Sequence, residues 1–263
     1  MPRILMFDSG VGGLSILREV LDKLPEVHIR YLMDNQLFPY GIQPDDVLVE
    51  RIVKLCVQHS QQCDLVVMAC NTASTIVLPA LRDALSIPVV GVVPAIKTAA
   101  NHSKSGCIGL LATPATVNRH YIDRLIADHA PDINVVRLGS SELVKLAEES
   151  FIHGQLDHHR LAEILAPLSQ IHDLDQLVLG CTHFPLLKEA ISQHLAKVEL
   201  TDSGEAIARR CAYLLAQHND DAQPDPQAQG HQLIATKMPE APEALQHACE
   251  QLAPFQPLQI MPL

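Results

Sequence analysis

The stretch Leu65-Val66-Val67-Met68-Ala69-Cys70-Asn71-Thr72 reads as a short buried strand that ends in a small residue, then a cysteine, then polar residues suited to opening a helix. The stretch Gln176-Leu177-Val178-Leu179-Gly180-Cys181-Thr182-His183 repeats it in kind. One copy in each half of the chain suggests two similar α/β units. Working outward, apolar runs alternate with helical stretches. Strands are predicted over Arg3–Phe7, His28–Met33, Asp64–Ala69, Ile87–Val93, Cys107–Leu111, Asn134–Leu138, Gln176–Leu179, Lys197–Leu200 and Gln232–Thr236. Helices are predicted between them over Leu14–Leu24, Asp45–Gln62, Asn71–Leu85, Pro114–His129, Glu142–Phe151, Leu156–Ser169, Pro185–Leu195, Gly204–His218 and Pro242–Leu252. Short connections between alternating elements imply an α/β fold with mostly parallel sheets. Asn219–Gly230, rich in Pro, Asp and Gln, reads as an exposed loop.

The 263 residues suffice for one large domain or two small ones, with a core that needs no staples. A net charge of −11 argues against a nucleic-acid platform, which requires a basic face. Aromatics at 3% and the absence of Trp argue against base stacking. The run Ile4–Phe7 is too short for a signal-peptide core, and no apolar run is long enough to span a membrane. The seven cysteines are odd in number, widely spaced and without a C-x-x-C pair, so free thiols in the cytoplasm are expected, with no zinc site.

Ligands of open α/β sheets bind beyond the carboxyl ends of strands. The residues there are Asp8-Ser9-Gly10-Val11-Gly12-Gly13, Asp34, Phe38-Pro39-Tyr40-Gly41, Cys70-Asn71-Thr72, Thr113-Pro114-Ala115-Thr116 and Cys181-Thr182-His183. Helix N-termini among them offer free N–H groups to a carboxylate. The glycine run resembles a dinucleotide fingerprint, with Asp34 downstream, but its third glycine position holds Ser15. A tight turn requiring glycine accounts for it better. Cys56, Cys63, Cys107, Cys211 and Cys249 fall inside predicted elements and read as small buried apolar residues. Cys70 and Cys181 instead end strands and begin helices, where the helix dipole lowers a thiol pKa. Two such thiols could form a redox pair, could include a Cys–His nucleophile with His183, or could serve as acid and base on opposite faces of one carbon. Lys97 could be proposed as a Schiff-base lysine, but a solvated helix position explains it more simply. Glu148 and Glu149 read as a helix surface pair, either of which could reach a cleft.

Taken together, Asp8–Ser15, Phe38–Gly41, Cys70–Ser74, Gly91–Ile96 and Gly180–Pro185 resemble the glutamate racemases of the aspartate/glutamate racemase family. The resemblance runs from about residue 3 to Asp202-Ser203. It implies two flavodoxin-like lobes with the active site in the cleft between them: residues 1–97 plus 208–263 in the first lobe, and 98–207 in the second. It implies cofactor-independent interconversion of L- and D-glutamate, with D-glutamate feeding peptidoglycan synthesis. Cys70 and Cys181 would be the acid/base pair, assisted by Asp8 and His183. Ser9, Tyr40, Gly41, Asn71, Thr72, Thr116 and Thr182 would bind substrate alongside Asp8 and His183. Glu148 corresponds loosely to a cleft glutamate. Cys70 would serve the D-enantiomer and Cys181 the L-enantiomer. The expected partner is the small-molecule substrate glutamate, with no nucleic acid, no membrane and no metal; a homodimer is left open. Two other readings stay beside it: a racemase of aspartate or another amino acid using the same two thiols, and a non-catalytic α/β ligand-binding protein with redox-sensing cysteines.

Overall fold

The computed structural model describes residues 1–218 and 230–263. The loop expected over Asn219–Gly230 therefore lies, but for Gly230, outside the described residues. Strands β1 (Arg3–Asp8), β2 (His28–Met33), β3 (Leu65–Met68) and β4 (Val89–Gly91) form one sheet with β9 (Gln232–Ala235) and β10 (Gln259–Ile260). Strands β5 (Cys107–Ala112), β6 (Asn134–Gly139), β7 (Gln176–Leu179) and β8 (Glu199–Thr201) form a second. Among the described residues every pairing between these strands is parallel. The central strands carry near-continuous apolar runs, Ile4–Phe7 in β1 and Cys107–Ala112 in β5, because helices cover both of their faces.

The two sheets share a plan. The order β2-β1-β3-β4 in the first recurs as β6-β5-β7-β8 in the second. In each, the chain leaves the central strand to one side and returns on the other, which opens a crevice between the carboxyl ends of β1 and β3, and of β5 and β7. Cys70 and Cys181 each follow the third strand of this repeated order, so the sequence echo marks equivalent places in two α/β units.

The helices are α1 (Leu14–Lys23), α2 (Asp45–His59), α3 (Asn71–Ala84), α4 (Ile96–His102), α5 (Pro114–Val117), α6 (His120–His129), α7 (Ser141–His153), α8 (His158–Ser169), α9 (Lys188–His194), α10 (Gly204–His218) and α11 (Pro242–Glu250). Helix α10 puts Ile207, Ala208, Cys211 and Leu215 into the core that α1 shares with the first sheet. Helix α4 puts Ile96 and Ala99 against Ile108 and Leu110 of the second. The chain thus crosses between the two cores before Ile96 and again before Gly204. The two crossing segments are tied where Ser203 Oγ donates to the Val93 carbonyl at 2.5 Å.

The helix expected over Pro114–His129 is two helices. Arg119 is extended (φ −82°, ψ 140°) between α5 and α6, and its guanidinium reaches Asp45 of α2. The helix expected over Pro185–Leu195 opens as a 3-10 turn, Phe184–Leu187, before α9.

Candidate active site

The carboxyl ends of the two sheets face each other, and short polar residues from both meet there. Asp8 ends β1 fully buried, accepting from the Ser9 N–H at 2.5 Å and the Ser9 hydroxyl at 3.2 Å. Its other oxygen accepts from the Thr182 hydroxyl at 3.1 Å, a bond from one sheet's loops to the other's. Thr72, at the start of α3, lies 3.0 Å from the Thr113 hydroxyl and 3.3 Å from that of Thr116. Asn71 beside it is buried, and its Oδ1 has no hydrogen-bond partner among the described residues. A buried acceptor left without a donor is uncommon and marks a place for a ligand's N–H.

The two thiols sit on either side of this seam, 5% and 6% exposed for Cys70 and Cys181, so the site is closed to solvent. At Cys70 the expected helix effect is present, since the Ala73 N–H donates to the sulfur. It is outweighed. Burial first, and then the Asp8 charge, push the Cys70 thiol well above the ordinary range. The expectation of a lowered pKa is corrected here: in a dry site, desolvation of the thiolate exceeds what one helix terminus returns. Asp8 is itself raised, again by burial, with His183, Ser9 and Thr182 opposing.

Cys181 Sγ lies 3.8 Å from His183 Nδ1, and His183 Nε2 lies 2.8 Å from Glu148 Oε2. Burial disfavours the imidazolium, but hydrogen bonds to Cys181 and Glu148 prevail and raise its pKa well above the usual histidine value. The same Glu148 oxygen accepts from the Val11 N–H at 2.9 Å. The surface-pair reading of Glu148 is thus replaced by a role in the seam, whereas Glu149 is exposed and pairs with Arg160. The Phe38 ring packs 5.6 Å from His183, centroid to centroid.

The first loop makes the expected turn at Gly12-Gly13, but its glycines are needed for proximity rather than for backbone angles. None of Gly10, Gly12 and Gly13 has positive φ. A Cβ on Gly10 would lie 2.6 Å from Glu148, and one on Gly12 would run into the His183 ring. Asp34, the carboxylate a dinucleotide reading would need, is engaged by Arg51 at 2.6 and 2.7 Å, by Tyr40 at 2.7 Å and by Thr236 at 2.6 Å. The Tyr40 hydroxyl is therefore committed to Asp34, and Gly41 packs against Thr113. Lys97 is exposed on α4. Every other candidate from the sequence lies in the seam or beside it. Thr113 joins them; locally it looks only like the cap of α5, whose Thr116 N–H it accepts at 3.2 Å. No helix among the described residues is long and apolar enough to cross a membrane.

Residues 14–211 match the Asp/Glu/Hydantoin racemase family. The chain belongs to that family. The glutamate racemase of Shewanella sp. (strain MR-7) is 55% identical over 223 residues, 84% of this chain and 82% of its own length. Glutamate racemase of Escherichia coli, solved in complex with L-glutamate and the activator UDP-MurNAc-Ala, is 42% identical and superposes with a TM-score of 0.92, over 99% of this chain and 98% of that one. The Francisella tularensis enzyme, solved in complex with D-glutamate, is 27% identical with a TM-score of 0.79, covering 99% and 97% of the two chains. The racemase fold, with two parallel sheets and helices on both faces of each, is the fold described above.

Proposed function

We propose that this chain interconverts L- and D-glutamate with Cys70 and Cys181 as its acid/base pair and no cofactor, and so supplies D-glutamate for peptidoglycan synthesis. The observation that carries the reading is the convergence of two thiols from equivalent ends of two sheets on one closed, polar seam. Inverting a stereocentre takes a base on one face and an acid on the other, and a single sheet edge cannot present both. Membership of the racemase family and the glutamate complexes of its relatives supply the substrate.

The two thiols stand in different surroundings. Cys70 is raised by burial and by Asp8, whose side chain is hydrogen-bonded to it, so it rests as a proton donor. Cys181 faces His183, an imidazole that holds its proton to high pH and can return it. By the family resemblance, Cys181 takes the α-proton of L-glutamate and Cys70 supplies one to the opposite face. With D-glutamate the roles reverse, and Asp8 and His183 hold the two thiols in the opposite protonation states. The unpartnered Asn71 Oδ1 suits the substrate's ammonium. The hydroxyls of Thr72 and Thr116 and the N–H groups at the start of α3 suit its carboxylates, while Ser9 and Thr182, which give their hydroxyl protons to Asp8, hold that carboxyl in place beside the substrate. Oriented dipoles in a water-excluded site take the place of an electron sink for the carbanion. Tyr40 acts through Asp34 to fix the corner at Gly41. The lobes expected as 1–97 with 208–263, and 98–207, are drawn instead at the two crossings, 1–95 with 204–263 and 96–203, because Ile96 packs in the second core and Ile207 in the first.

The test is circular dichroism or chiral chromatography of L-glutamate with purified protein, a thiol reductant and nothing else added. Decay of the signal to a racemic mixture is expected. No change in L-glutamate, or turnover only after pyridoxal phosphate is added, overturns the reading.

A further inference from the structure

The loop that carries Cys181 has a gap in its backbone hydrogen bonding. It turns in successive three-residue steps: the Phe184 N–H donates to the Cys181 carbonyl at 3.1 Å, and the Leu186 N–H to the His183 carbonyl at 3.1 Å. The Thr182 carbonyl between them would take the N–H of residue 185, which is a proline and has none. Left alone, that carbonyl would be an unsatisfied acceptor in a buried loop. Ser15 fills the place. Its hydroxyl lies 2.8 Å from the Thr182 carbonyl, across 167 residues of chain. The same oxygen is 2.8 Å from the Gly12 carbonyl, but Gly12 already accepts from the Ser15 N–H at 3.0 Å. A hydroxyl has one proton to give, and the Thr182 carbonyl has the greater need of it.

We propose that Ser15 is a positioning residue for Cys181: its hydroxyl stands in for the N–H that Pro185 lacks and fixes the Cys181–His183 loop against the start of α1. The inference rests on the racemase reading above. It also explains why a small hydroxylated residue stands where a dinucleotide fold would have its third glycine. The Thr182 side chain is held by Asp8 and the His183 ring by Glu148 and Phe38, whereas Ser15 acts on the backbone of this loop.

The experiment compares Ser15→Ala and Ser15→Thr with the parent chain, racemising each enantiomer with and without deuterium at the α-carbon. Enantiomers have equal free energy, so kcat/KM must stay equal in the two directions and cannot itself reveal which thiol is misplaced. Isotope effects can. With Cys181 displaced, proton transfer at Cys181 limits both directions. Expected for Ser15→Ala is a loss of ~10-fold in kcat/KM, with the isotope effect rising for the enantiomer that Cys181 deprotonates and falling for the other. Ser15→Thr, which keeps the hydroxyl, is expected to restore most of the activity. A loss with both isotope effects moving together, or activity within about twofold of the parent, overturns the proposal. These ratios report on folded, active molecules, so partial misfolding does not mimic them. Should the parent chain fail to racemise glutamate, the reading above falls and iodoacetamide decides this one. A change of about fivefold or more in labelling at Cys181, with Cys70 unchanged, upholds the Ser15 contact, and equal rates overturn it.

Discussion

His183 Nε2 and Glu148 Oε2 lie 2.8 Å apart, and through this contact a helix of the second unit sets the charge beside Cys181. Glu148 is one of two hydrogen-bonding partners that raise His183 against the pull of burial. Glu148→Gln keeps the shape and removes the charge. The raised folded-state pKa means that this contact stabilises the fold fully below the unfolded histidine value, and that the contribution fades as pH rises through the folded one. The variant should therefore lose most stability below about pH 6.5, and progressively less as pH rises towards the raised folded-state value of His183. Its His183 ring should titrate at lower pH by NMR, and its kcat should fall ~10-fold or more. An unchanged His183 titration would remove Glu148 from the proton path.

Removing either thiol should abolish inversion, because each serves a different face. Cys70→Ala and Cys181→Ala are each expected to lose at least ~10³-fold in kcat. Cys63→Ala and Cys107→Ala should remain active, since Cys63 packs in the first core and Cys107 in the second. In D₂O, deuterium should enter the α-carbon of the product and much less of the recovered substrate. Equal entry into both would indicate a single base, and Cys70 or Cys181 would lose its role.

What the sequence makes legible follows from the range of the forces involved. Strands β2 and β7 and helix α10 are read to the residue, because burial on both faces or a full apolar stripe writes itself into local periodicity. Helix α4 is read only as a helical place for Lys97, without bounds, because seven residues after Pro94 carry too short a pattern. Strand β10 goes unseen because its two residues pair only once β9 is in place. The break between α5 and α6 falls at Arg119, whose side chain reaches Asp45, 74 residues away in the chain. The candidate site divides in the same way. Cys70 and Cys181 are legible because each stands at a strand end. The first-loop glycines do lie at a turn, but the need for glycine there is not legible, because the side chains crowding them, Glu148 and His183, arrive from the other unit. Glu148 and Ser15 look like ordinary helix residues until that unit is docked.

Gly12→Ala tests whether the first loop is built for approach. The position has ordinary backbone angles, so alanine should leave each unit folded. Its Cβ would meet the His183 ring and lie 2.8 Å from the Thr182 hydroxyl. Closure of the seam should fail by a fraction of an ångström or more, and misplacement of that size costs ~10²-fold in rate. Far-UV circular dichroism close to that of the parent with kcat/KM reduced ~10²-fold is the expected result. Activity within about threefold would mean that the seam tolerates the methyl group.

Acid should loosen the C-terminal segment first. His231 accepts from the Ile29 N–H at 3.2 Å through Nδ1, which it can do only while that nitrogen is unprotonated. Burial, and then the neighbouring His28, lower its pKa to about 4. Unfolded, it would titrate near 6.5, so between those values the unfolded chain binds more protons than the folded one. The stabilisation is complete above about pH 6.5 and is lost progressively as pH falls towards 4. The ceiling is about 3 kcal/mol, trimmed by partial solvent access to the ring. His231→Asn keeps an acceptor and removes the titration. Urea unfolding at pH 7 and pH 4.5 should show the parent losing about 2 kcal/mol more than the variant, the carboxylates contributing equally to both. Parallel losses in the two proteins would mean that His231 is solvated or already charged, and that the join between β2 and the C-terminal segment does not depend on its neutral ring.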